Sequence, residues 1–161
     1  MPSASPASTA FPSLAQVRSW TGDYLTDSAA HWITTAHRWQ DAYHRVHAEV
    51  AHPGGRPWTG RGAEAALQRV AADKLAVLGA VDDLTAAAAA AREAAFQLAS
   101  ARQAVLDAVR AAQAAGLTVD DDFTVSNTGR GTATAAQADA LHGKVLALAA
   151  LDRQVATRPA Q

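Results

Sequence analysis

Apolar side chains recur along the first third of the chain at Leu25, Ala29, Trp32, Ala36, Trp39, Tyr43, Val46 and Val50. Their steps alternate four and three, which places them on one face of a helix as a heptad seam. The opposite face carries His37, Asp41, His44 and Arg45, a set suited to water. The pattern predicts one helix over about 13–51, with Ser13 after Pro12 as its N-cap. His52-Pro53-Gly54-Gly55-Arg56-Pro57 then removes a backbone donor and supplies flexible turn positions, so the helix stops there.

The second periodic run is the longest. Val70, Val77, Leu84, Ala91, Leu98, Val105 and Ala112 stand seven apart, interleaved with Lys74, Val81, Ala88, Ala95, Arg102 and Val109. This predicts a helix over about 59–115, ended by Gly116 as its C′ residue. At 1.5 Å per residue it is roughly 80 Å long, the scale of a coiled coil or extended hairpin. Lys74 and Arg102 interrupt the apolar seam; long cationic side chains can snorkel, or can mark a polar group facing the seam.

Gly116 to Asn127 is free of alanine and leans towards β structure, reading as an ordered connector that folds back with Phe123 and Val125 tucked in. A third helix over about 134–156 has Ala138, Leu141, Val145, Leu148 and Val155 on its apolar face, with Thr134 and Gln137 spaced as a capping box. The expectation is an all-α fold: a long antiparallel helical hairpin, an irregular connector over 116–133 and a third packed helix. Residues 1–12 read as a flexible lead-in, 13–157 as a single helical domain and 158–161 as a tail.

Composition sharpens this picture. Of 161 residues 49% are hydrophobic, but alanine supplies much of that, so the core is thin and leans on large anchors: Trp20, Trp32, Trp39, Trp58 and Phe96. A net charge of -1 argues against nucleic acid as the main partner. The chain has no cysteine, hence no disulfide, thiolate metal site or cysteine nucleophile. Met1-Pro2-Ser3-Ala4-Ser5-Pro6 lacks the basic and apolar regions of a Sec-type signal, and no window approaches a spanning helix.

Candidate chemistry is sparse. His37, Asp41 and His44 share a helical face with His47 close by, but nothing encloses them as a zinc site requires. Asp120-Asp121-Asp122 lacks the alternating acidic spacing of a calcium loop and reads as a solvated turn. Gly129-Arg130-Gly131 is too short for a phosphate loop. No nucleophile elbow, paired buried carboxylates or zincin helix appears, so the expectation is a non-enzyme without cofactors or metals. Trp58-Thr59-Gly60 sits at the hairpin turn, where an indole can cover the end of the seam and Gly60 lets the backbone turn beside it. Trp20-Thr21-Gly22 repeats those letters inside the first helical run, where no turn is expected.

Two long amphipathic helices joined at Trp58-Thr59-Gly60 resemble the Trp-x-Gly family of type VII secretion substrates, the small early-secreted-antigen-like proteins of actinobacteria. The resemblance covers about 13–115. The whole arrangement is also similar to the leading domain of larger mycobacterial secretion-associated proteins. The matching pieces are Pro53-Gly54-Gly55, Trp58-Thr59-Gly60, Ala99-Ser100-Ala101-Arg102 through Val105-Leu106, and Gly116 through Phe123. Small family members lack a third helix, and they or their partners carry a Tyr-x-x-x-Asp/Glu export signal. Here Tyr24 and Tyr43 are followed four residues on by Ser28 and His47.

The resemblance implies a secreted or envelope protein exported by a Sec-independent route. It would bind either a second copy of itself or another Trp-x-Gly-type hairpin, and would engage the secretion machinery. Trp58 and Gly60 would make the turn; Trp32, Trp39, Tyr43, Val46, Val70, Val77, Val81, Leu84, Leu98 and Val105 would form the packing seam. The alternative is a cytoplasmic structural or adaptor coiled coil. A membrane-active helix would need large apolar residues opposite a basic face, whereas the second helix sets alanine opposite mixed charge.

Overall fold

The computed structural model describes residues 11–126 and 133–157. The fold is nearly all helical: α1 Leu14–Ser19, α2 Asp23–Ala51, a 3-10 turn Pro53–Gly55, α3 Arg61–Ala114 and α4 Ala133–Thr157. A two-stranded antiparallel ribbon, β1 Thr118–Val119 with β2 Val125–Ser126, lies between α3 and α4. The chain forms two compact units, Asp23–Glu93 and the combination of Met1–Gly22 with Ala94–Gln161, and α3 contributes to both.

The discontinuous unit holds the larger side chains. Leu14 and Val17 of α1, Leu98, Val105 and Val109 of α3, Phe123 of the connector, and Leu141, Val145 and Leu148 of α4 are all buried. In α4 the steps of four and three carry these leucines and valine to one side, while Ala138 and Val155 are half-buried. The capping box expected at Thr134 rests on a side chain outside the described residues, as does Gly129-Arg130-Gly131.

The continuous unit is poorer in apolar bulk. Its buried hydrophobic residues are Ala29, Ala36, Ala63, Val70, Ala88 and Ala91. Leu25, Trp32 and Ile33 of α2 pack around Ala29, Ala88 and Ala91. Farther along α2, the Tyr43 hydroxyl donates to the Val70 carbonyl of α3 at 3.4 Å. These contacts climb α2 while descending α3.

Two expectations fail. The first helix is not continuous: it stops at Ser19 and resumes at Asp23, so Trp20-Thr21-Gly22 is a break rather than a stretch of helix. Trp20 is extended (φ -71, ψ 119), and the Val17 and Arg18 carbonyls accept hydrogen bonds from Arg102, giving α1 its own C-terminus. The large anchors also fail in part. Phe96 is 70% exposed, Trp39 47% and Trp58 44%, whereas Trp20 and Trp32 are half-buried.

The end of α3 matches expectation closely. Gly116 has φ +81, its N–H donates to the Gln113 carbonyl at 3.0 Å, and the Leu117 N–H reaches Ala112 at 3.1 Å. This paired termination satisfies two carbonyls that the helix would otherwise leave open. Leu141→Ala should lower the unfolding free energy by about 3 kcal/mol through cavity formation, and Phe96→Ala in the same unit by less than about 0.5 kcal/mol. Urea unfolding of the two variants checks the contrast.

Candidate interaction surface

The continuous unit leaves large apolar side chains in water. On α2, Trp39 and Val46 stand seven residues apart and so share a flank; they are 47% and 53% exposed. On α3, Leu75 is 76% exposed. At the turn, Trp58 is 44% exposed and its ring packs beside Gly62, where an added Cβ would lie 3.4 Å from the indole. Gly60 has φ +101, a conformation that favours glycine, with open space around it.

The seam residues named from the sequence therefore divide. Val70, Leu98 and Val105 are buried; Trp32, Tyr43, Val77, Val81 and Leu84 are half-buried; Trp39 and Val46 are exposed. Trp58 does not seal the seam either, because nearly half of it faces solvent. His37, Asp41, His44 and Arg45 are all exposed, and the depression lined by Arg38, Asp41, His44 and Arg45 is open to solvent. Among the described residues no three histidine or acidic side chains gather as a metal-ion site.

Polar chemistry concentrates in the discontinuous unit and is structural in kind. The Ser13 side chain accepts from the Gln16 N–H at 3.2 Å, and the Gln16 side chain accepts from the Ser13 N–H at 2.8 Å, a reciprocal capping box. Asp121 also serves the N-terminus of α1: its carbonyl accepts from Leu14 N–H and its carboxylate from Ala15 N–H, both at 2.7 Å. Arg102 serves the other end, donating from Nε to the Val17 carbonyl at 2.9 Å and from Nη2 to the Arg18 carbonyl at 2.5 Å. An acid at the helix start and a cation at its end both oppose the helix dipole. Arg102 thus interrupts the apolar seam because a polar group faces it; Lys74 is exposed.

The acidic triplet is more than the solvated turn expected. Asp121 caps α1, while the Asp122 carboxylate accepts from the Thr124 N–H at 2.9 Å. That backbone bond, followed by the Thr124 side chain, lowers the Asp122 pKa. Asp107 is lowered chiefly by its bond from Arg110 and then by Gln103, whereas burial raises Asp152. Phe123 completes the turn. Its N–H donates to the Asp120 carbonyl at 3.0 Å, and the Asp120 N–H donates to the Thr124 carbonyl at 2.9 Å. Phe123 takes φ +62, a strained choice for a bulky residue, and is fully buried against the edge of Phe11 at 5.8 Å between ring centres.

The chain is 37% identical over 115 residues to uncharacterized protein Rv2077c of Mycobacterium tuberculosis and, equally, to uncharacterized protein Mb2102c of Mycobacterium bovis. The match covers 71% of this chain and 35% of each relative, so the chain spans about a third of their length. No family model matches the sequence, and no solved structure matches it. These relatives are mycobacterial, in line with the resemblance of the motifs to mycobacterial proteins.

Two predictions concern this connector. Phe123→Gly should unfold at higher urea than Phe123→Ala, reversing the usual order, because both lose the buried ring but only glycine relaxes the positive φ, worth about 1 kcal/mol. Asp122 has a folded pKa below its unfolded value, so its contribution is complete above about pH 4 and is lost as pH falls through the folded pKa. Asp122→Asn should flatten the acid limb of the melting profile below about pH 4 and leave the slope near pH 7 unchanged.

Proposed function

We infer that this protein works by helix–helix binding to a protein partner, as a type VII secretion-associated substrate or leader domain, and not by catalysis. The observation that carries this reading is the exposure of Trp39, Val46 and Leu75 on a helix pair whose own core is mostly alanine. Exposed aromatic and aliphatic side chains beside a thin core are what a second pair of helices would cover to complete a bundle. The reading takes α2 and the first part of α3 as an antiparallel hairpin turned at Trp58-Thr59-Gly60. The opposed order of contacts along the two helices supports that topology.

The partner is a second copy of this chain or another Trp-x-Gly-type hairpin, and the secretion machinery recognises the assembled pair. Export then follows a Sec-independent route to the envelope or beyond. The mycobacterial relatives are consistent with a host that has such a system. Among the described residues no helix is long and apolar enough to cross a membrane. A cytoplasmic adaptor is the second reading, favoured by Ser28 and His47 standing where the acidic residue of a Tyr-x-x-x-Asp/Glu signal would be.

Trp39→Ala and Trp58→Ala test the surface. Both side chains are substantially exposed, so folding should change little, while self-association or affinity for the partner hairpin should fall at least about tenfold, as for an aromatic anchor at an interface. Sedimentation equilibrium for the homodimer, and calorimetric titration with a purified Trp-x-Gly-type hairpin for the heterodimer, read this out. Unchanged association in both variants contradicts the proposed surface.

A further inference from the structure

Within the continuous unit the exposed apolar side chains form two stripes. On α2, Trp39 and Val46 each stand three residues past a position turned towards α3: the buried Ala36, and Tyr43, whose hydroxyl bonds the Val70 carbonyl. On α3, Leu67, Ala71, Leu75 and Leu78 follow one another at steps of four, four and three, and all of them are exposed. Ala71 and Leu78 stand one residue past the buried Val70 and the half-buried Val77. Three residues turn a helix about 300°, which is about 60° short of a full circle, whereas one residue turns it about 100°. The two stripes are therefore rotated in opposite senses away from the line along which the helices meet. In an antiparallel pair, opposite rotations fall on opposite sides of the pair. The unit thus has one aromatic flank and one leucine flank, and no single helix can lie on both.

Each flank carries its own charges. Glu49 lies three residues from Val46, and Arg38 lies four from Ala42, which adjoins both Trp39 and Val46. Lys74 and Asp82 each lie four residues from Leu78. All four charged side chains are exposed and, among the described residues, none of them is in an ion pair. Laid antiparallel, Arg38 then Glu49 of α2 face Asp82 then Lys74 of α3, opposite signs in both cases. The spacings are eleven and eight residues, a mismatch of about 4.5 Å that long side chains span. In the same register Trp39 lies by Leu78 and Val46 by Leu75, while Arg45 stands level with the uncharged Leu75. We propose that the aromatic flank of one copy docks on the leucine flank of the next, which makes a second copy of this chain the partner and the contact heterologous. This docking rests on the antiparallel hairpin and the binding reading above. A contact between two different surfaces leaves one flank of each kind open on the dimer, so association continues past two copies.

Analytical sedimentation of the full chain over a rising concentration series tests the docking. The wild-type mass should climb beyond twice that of the monomer. Trp39→Glu blocks one flank and Leu75→Glu the other, both at exposed positions where folding should change little. Each of these variants alone should stay monomeric. Mixed in equal amounts, they keep one intact flank each and should form a dimer that grows no further. Arg38→Glu and Asp82→Arg each reverse one charge; alone, either should weaken association at least about tenfold, and combined in one chain they should restore it. These two leave the apolar stripes intact, so they preserve the test should a glutamate on either stripe disturb folding. A wild type that stops at the dimer, or single apolar variants that still self-associate, overturns the heterologous docking. So does a wild type that is monomeric at every concentration. If that monomer still binds a purified Trp-x-Gly-type hairpin through Trp39, the binding reading stands and only the docking between copies falls.

Discussion

Alanine lets two helix axes approach closely but removes little apolar area from water when it does so, and the molecule is organised around that limit. Along α3 the seam changes character. Towards its N-terminal side the buried positions are Ala63, Val70, Ala88 and Ala91; towards its C-terminal side Leu98, Val105 and Val109 are buried beside Ala94, Ala95 and Ala112. One continuous helix thus supports a thin core in one unit and a richer core in the other. Burial at about 25 cal/mol per Å² rewards the second far more than the first. The exposed Trp39, Val46 and Leu75 lie in the unit with the thin core, which is where added apolar cover would contribute most.

The same economy explains the polar design around α1. A six-residue helix cannot bury enough to hold itself, so hydrogen bonds to charged partners supplement Leu14 and Val17. Arg102 occupies a seam position at the expense of an apolar residue, and Asp121 is spent on a helix start rather than on a cation. Asp122 and Phe123 hold the turn that presents Asp121, the first by accepting from Thr124 and the second by filling the core beneath a strained backbone. Sequence elements that look unrelated, an arginine in a heptad and three aspartates in a loop, meet at one short helix.

Much of this was legible in the sequence. Heptad spacing located α2 and α3, Pro53-Gly54-Gly55 located the turn between them, and Gly116 located the end of α3 to within two residues. Steps of four and three in α4 mark Leu141, Val145 and Leu148, and all three are buried. What escaped was anything set by a distant partner. Nothing between Ser19 and Asp23 signals a break strongly, because the groups that end α1 come from Arg102. Periodicity places Trp39 and Val46 on a seam, yet they stand 47% and 53% exposed. The bonding of Asp121 to α1 required a tertiary contact across 106 residues, which no local pattern contains.

The role proposed for the helix pair is to serve a partner during type VII export. Its most direct measurement is localisation of the tagged full-length protein in a mycobacterial host, with and without the type VII core ATPase. That role requires protein in the envelope or culture filtrate only when the ATPase is present. An unchanged cytosolic pool in both strains would contradict it.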